Sequence, residues 1–146
     1  MNIYLDIDGV LLAYNRKSAR SVHEFLCYVL AHYPDSTYWL TTHCKGDAMT
    51  PIEHVGHAFD EKTVELMKKI KPTNWDTWKT DAIDFSKPFL WFDDDCFDFE
   101  RTTLIQNGVF DNWIEVDLIK DENQLQKFVS SFPLPVSTVN YNIGYK

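Results

Sequence analysis

Four short runs of β-branched, aromatic or aliphatic residues are separated by stretches with helical periodicity. This alternation constrains the fold more than any other feature of the chain. The runs are residues 2–7 (NIYLDI), 37–42 (TYWLTT), 88–92 (PFLWF) and 113–118 (WIEVDL). The first and last alternate like half-buried strands. The second is rich in residues that suit a pleated surface, and PFLWF is continuously apolar, as in a strand covered on both faces. Between the first two runs, Val22, Phe25, Leu26, Val29 and Leu30 follow helical spacing. They stand behind Ser21-Val22-His23-Glu24, which has the pattern of a capping box, and Pro34-Asp35 ends the helix. Thr50-Pro51 opens a second helix, and Asp60 a third that carries Val64, Met67 and Ile70 and stops before Pro72. A short helix is expected around residues 78–83, then one over 97–107 closed by Gly108, and a last amphipathic one over 122–132. The order β-α-β-α-α-β-α-β-α predicts an α/β fold with a parallel central sheet and helices on both faces. Ligands of such sheets bind at the carboxyl ends of the strands.

A chain of 146 residues suits one domain with a real core, and 45% hydrophobic content excludes general disorder. The formal charge of −8 disfavours nucleic acid and anionic membrane surfaces as partners, but a local cationic site can still take a small phosphorylated ligand. Cys27, Cys44 and Cys96 are odd in number and lack CxxC spacing. They argue against a disulfide framework or structural zinc and suit a reducing, cytoplasmic setting. No secretory-signal pattern and no apolar stretch of membrane-spanning length is evident. Residues 1–132 read as one domain, and 133–146 as a tail of little periodicity that could pack on the domain or on a second copy of it.

Three predicted strand ends carry reactive groups. They are Asp6-Ile7-Asp8-Gly9, then Leu40-Thr41-Thr42, then Phe92-Asp93-Asp94-Asp95 with Asp98 beyond. On adjacent parallel strands these groups share one rim. Clustered carboxylates repel and resist ionising, and a divalent cation removes that penalty. Oxygen-only ligands favour Mg²⁺ over zinc. A carboxylate can also attack phosphorus to give an aspartyl phosphate, while a neighbouring acid protonates the leaving oxygen and then deprotonates water. Thr41 offers a hydroxyl to the phosphoryl oxygens, with Thr42 as a close competitor. Lys79 offers the cation, with Lys87 and Lys71 as alternatives. Lys87 directly precedes Pro88 and should sit at the opposite end of its strand.

The combination of DxDGV, a strand ending in Thr, a downstream Lys and a strand ending in an acidic cluster resembles the haloacid dehalogenase (HAD) superfamily. The four motifs run from Asp6 to Asp98, and the likeness extends to about Phe132. It implies a three-layer α/β/α, Rossmann-like domain. It also implies a Mg²⁺-dependent phosphatase that works through an aspartyl phosphate. Asp6 would then be nucleophile and metal ligand, and Asp8 the acid/base that offers its backbone carbonyl to the metal. Thr41 would bind the transferring phosphoryl group and Lys79 would neutralise charge. Asp94 would be the acidic metal ligand, supported by Asp93 and Asp98. Asp93-Asp94 matches the family's adjacent pair and Asp94 to Asp98 its spaced form. Gly9 falls where the family turns tightly. The acid/base Asp8 points to phosphatases rather than dehalogenases. Another phosphotransferase of the same fold, or a non-catalytic metal-binding protein, are the rival readings.

Many such enzymes carry a cap domain inserted after the first or second motif. One helix and one strand occupy most of the interval from Asp8 to Thr41, and two helices most of that from Thr41 to Lys79. Units below about 40 residues rarely fold alone, so no cap is expected. An open site tolerates a large phosphorylated substrate. Residues 9–17, with Arg16 and Lys17, suit a small flap that brings positive charge to a phosphate. His43 and Cys44 follow the Thr strand and could line the pocket, although a loop His is more often a surface residue; His54 and His57 read as surface residues; Trp75 and Trp78 could shape a substrate surface or pack in the core or a loop.

Overall fold

A computed structural model describes residues 1–131. Phe132 and the tail expected over 133–146 lie outside the described residues. The chain forms an α/β fold around a four-stranded sheet whose paired strands all run parallel, in the order β2-β1-β3-β4. The strands are β1 (Asn2–Leu5), β2 (Thr37–Trp39), β3 (Phe89–Asp93) and β4 (Trp113–Glu115). Among the described residues, five α-helices lie between and after them: α1 (Val22–His32), α2 (Thr50–Val55), α3 (Glu61–Met67), α4 (Asp98–Gln106) and α5 (Gln124–Ser131). This arrangement is compatible with a Rossmann-like fold. Among the described residues, no helix is long and apolar enough to cross a membrane.

Both sheet faces are buried, and alternation along the strands divides the core in two. Ile3, Leu5, Leu90 and Phe92 belong to a cluster with residues of α1, α3 and α5. Phe25 of α1 and Phe128 of α5 both meet Phe92 edge-on, with ring centroids 5.4 and 5.2 Å apart. On the opposite face Tyr4, Phe89 and Trp91 pack with Trp75, Ile83, Cys96 and Leu104. The Tyr4 hydroxyl reaches the edge of that cluster and accepts the Asp84 backbone N–H at 3.0 Å.

β1, β2 and β4 are shorter than their runs predict, while β3 is shifted by one residue. β1 ends at Leu5, yet Asp6 N–H still donates to the Phe92 carbonyl at 3.0 Å, and Leu40 N–H to Leu5 at 2.8 Å. The ladder therefore persists just past the labelled ends, and the chain turns away where the carboxylates begin. Asp60 caps α3 as expected, its side chain accepting the Thr63 N–H at 2.8 Å. Ile70 lies beyond the end of that helix, in the turn that leads to Lys71.

Two local expectations are corrected. Ser21 forms no capping box: it sits at φ 64°, in the left-handed region, and its side chain makes no cap bond. The helix expected around residues 78–83 is a single 3₁₀ turn, Lys79–Ala82. It is held at its start by a buried carboxylate rather than by its own periodicity.

Candidate functional site

β1 and β3 are neighbours, so the Asp6 and Asp93 ends of two buried strands lie side by side. Asp6 is 5% exposed and Asp93 2%. Lys79 enters between them from the 3₁₀ turn, its Nζ 2.6 Å from Asp93 Oδ2 and 3.4 Å from Asp6 Oδ1. The Trp91 indole N–H also donates to Asp93 Oδ2, at 3.0 Å. Asp94 completes the group: one carboxylate oxygen each from Asp6, Asp93 and Asp94 lie within 4.8 Å of one another.

Burial and crowding set the proton affinities. Burial raises the Asp6 carboxyl above its ordinary range against the pull of Lys79. Burial, reinforced by the Asp6 charge, pushes Asp93 well above that range. For Lys79, burial works against the charge, but Coulomb attraction to Asp6 and Asp93 outweighs it and the ammonium is stabilised. One cation thus faces two buried acids and a third beside them. This all-oxygen donor set, short of positive charge, fits Mg²⁺.

Lys79 is fixed from behind. Glu100, 2% exposed, accepts the Lys79 backbone N–H at 2.8 Å and the Phe97 N–H at 3.1 Å. The second bond is half of a capping box at the start of α4. Phe97 stands where that pattern wants Ser or Thr, so the sequence signal is incomplete and Glu100 was missed. Lys87 is exposed at the amino end of β3, away from the acids, and Lys71 Nζ donates to the Asp35 carbonyl instead.

Gly9 makes the turn after Asp8 at φ +81°. A Cβ built there would lie 2.7 Å from Asp94 Cγ and 2.8 Å from Tyr14 Oη, so the position needs glycine for both dihedral and space. Tyr14 donates to Asp94 Oδ2 at 2.6 Å. No pattern in the sequence marks Tyr14.

Asp8 lies outside the buried group, with its side chain 45% exposed. Arg16 Nη1 is 3.2 Å from Asp8 Oδ1, and His43 Nε2 is 2.9 Å from Asp8 Oδ2. Arg16, one of the two basic residues of the segment expected as a flap, touches Asp8. Lys17 instead lines an adjoining open cleft of about 810 Å³, between residues 13–20 and 118–123. Of the two places the sequence leaves open for His43, pocket or surface, the structure shows contact with Asp8. The other His43 ring nitrogen, Nδ1, meets His54 Nδ1 at 3.1 Å. His57 is exposed.

Thr41 is buried just past β2, and its Oγ1 accepts the His43 N–H at 3.3 Å. Thr42 is exposed. Asp98 is also exposed, as the first residue of α4, and stands apart from the cluster, which gathers the adjacent pair Asp93-Asp94. Burial raises the Cys96 thiol to about 12, which makes it a poor nucleophile despite its place beside the acids. Trp75 packs in the core, and Trp78 stacks on Phe99 with centroids 4.7 Å apart.

No family model matches this chain. No curated protein matches it. No solved structure matches it.

Proposed function

We propose that the protein is a phosphomonoester hydrolase of the HAD type, without a cap domain, that works through a phosphorylated Asp6. The observation that carries this reading is Lys79 held between Asp6 and Asp93 at the carboxyl ends of adjacent parallel strands. A buried carboxylate beside a fixed ammonium can serve as a nucleophile towards an electrophile whose own negative charge the ammonium offsets. A phosphoryl group is such an electrophile.

In the reaction, an Asp6 oxygen bonds to phosphorus as the ester P–O bond breaks. Asp8 gives its proton to the departing alkoxide or phenoxide. Asp8, now ionised, takes a proton from water as the water oxygen bonds to phosphorus. The bond to Asp6 breaks, phosphate leaves, and both carboxyl groups return to their starting states. Lys79 offsets charge on the phosphoryl oxygens throughout, and Thr41 would donate its hydroxyl to one of them. Asp6, Asp94 and the Asp8 backbone carbonyl would hold Mg²⁺, with Asp93 behind them. When bound, Mg²⁺ supplies further charge stabilisation to the transferring group.

The test is hydrolysis of an aryl phosphate with and without Mg²⁺, by the wild type and by Asp6→Asn. Metal-dependent turnover that the substitution abolishes is the expected result. Absence of turnover, together with no rise in melting temperature on adding beryllofluoride and Mg²⁺, would favour a non-catalytic metal-binding protein. Phosphate transfer to an added alcohol in preference to water would favour a phosphotransferase.

A further inference from the structure

We propose that His43 is a positioning residue for Asp8, and that His54 fixes the tautomer in which it works; the role rests on the phosphatase reading above. Asp8 lies on a loop with a side chain 45% exposed, so core packing does not fix its rotamer. Two donors clasp it, and they differ in permanence. The Arg16 side chain is 66% exposed, whereas that of His43 is 19% exposed.

The His43 backbone is anchored in the turn after β2. Its N–H donates to Thr41 Oγ1 at 3.3 Å, and the next N–H, of Cys44, donates to the Thr41 carbonyl at 3.0 Å. The ring therefore hangs from the same turn that presents Thr41. Asp8 Oδ2 accepts both when the carboxyl is ionised and when it carries its acid proton on Oδ1, so His43 Nε2 supplies the hydrogen between them. When the ring carries only that hydrogen, Nδ1 is bare. His54 Nδ1, 3.1 Å away, must supply the hydrogen between the two rings. The chain of donors thus runs from His54 to His43 to Asp8. It ties down Oδ2 and leaves Oδ1, whose only protein partner in the clasp is the exposed Arg16, as the oxygen that exchanges a proton with substrate and water.

Asp8 acts on the leaving group, so loss of its positioning should scale with how much the leaving oxygen needs a proton. The probes are a series of substituted phenyl phosphates, from nitrophenyl through phenyl to methoxyphenyl, read as kcat/KM. Wild-type kcat/KM should vary little along the series. His43→Ala should lose at most about threefold on the nitrophenyl ester but on the order of tenfold or more on the methoxyphenyl ester. His43→Gln keeps an N–H near the reach of Nε2 and should recover most of that loss. It also reads the role if the alanine variant fails to fold. His54→Ala should show a smaller loss with the same dependence on leaving group. A loss equal on every ester, or none, or no recovery by glutamine, would overturn the role and leave the phosphatase reading intact. A wild type that hydrolyses no member of the series would overturn both.

Discussion

The Glu100 carboxylate accepts the backbone N–H of Lys79 at 2.8 Å, so a buried acid of α4 sets where the site's ammonium begins. Glu100→Ala removes the acceptor of two buried N–H groups, at Lys79 and Phe97. Each bond to a charged acceptor is worth about 1.5–3 kcal/mol, so the loss should be about 3 kcal/mol or more by urea denaturation. Turnover should fall with it. Glu100→Gln keeps one oxygen and should lie between the two. Full stability in Glu100→Ala would show that the carboxylate does not hold the turn.

Lys79→Met leaves Asp6 and Asp93 buried without their cation. Removing one partner of a buried ion pair costs about 3–5 kcal/mol. Here the loss should be greatest near pH 8 and smaller near pH 5, where the two acids can take up protons. Lys79→Arg should restore stability poorly, because a planar fork does not fit a space shaped for a compact ammonium. Denaturation curves at the two pH values check this; a loss independent of pH would refute it.

Stability of the metal-free protein should itself depend on pH through Asp93 and Asp6. Both hold their protons more tightly folded than unfolded. Their contribution is complete below the ordinary carboxylate pKa of about 4 and is lost as pH rises through the raised values. Lys79, whose affinity is also raised, stays charged throughout and leaves this slope unopposed between pH 5 and 8. The melting temperature should therefore fall from pH 5 to pH 8. Mg²⁺ competes with the protons, so its stabilising shift should be larger at pH 8. A shift larger at pH 5 would remove the acids as its ligands.

Gly9→Ala places a methyl group against Asp94 and Tyr14 at a left-handed dihedral. The dihedral alone costs about 1–2 kcal/mol. Displacement of Asp94 should also weaken the thermal response to Mg²⁺, which a melting series over metal concentration reads directly. A variant that melts and binds Mg²⁺ like the wild type would mean that the turn can shift at no cost.

Much of this geometry was legible from residue order. Phe89–Phe92 lie buried in β3 because burial on both faces leaves a plain apolar mark, and β2 begins at Thr37 where the β-branched and aromatic run begins. Asp6, Asp93 and Asp94 come together because parallel strands carry their ends to one rim, and Lys79 joins them from the 3₁₀ turn that precedes β3. What stayed hidden depends on contacts with no local pattern. His43 meets Asp8 across two loops, and Tyr14 meets Asp94 across most of the chain. Ser21 misled because its sequence fits a cap while its backbone is turned left-handed. Asp98 stands apart from the cluster, because spacing along the chain says nothing of where a helix turns its first residue.

The pairing of β1 with β3 leaves α1, β2, α2 and α3 looped out between them. Nothing local holds Asp6 near Asp93; the two meet only when that long loop has closed, a slow step in folding. A nascent chain that extends only through β2 presents Asp6 and Asp8 alone, with no crowding of acids to relieve. The repulsion arrives with β3, and Lys79 arrives just ahead of it, because its turn immediately precedes that strand. The order of residues along the chain thus delivers the counter-charge before the charges it must balance.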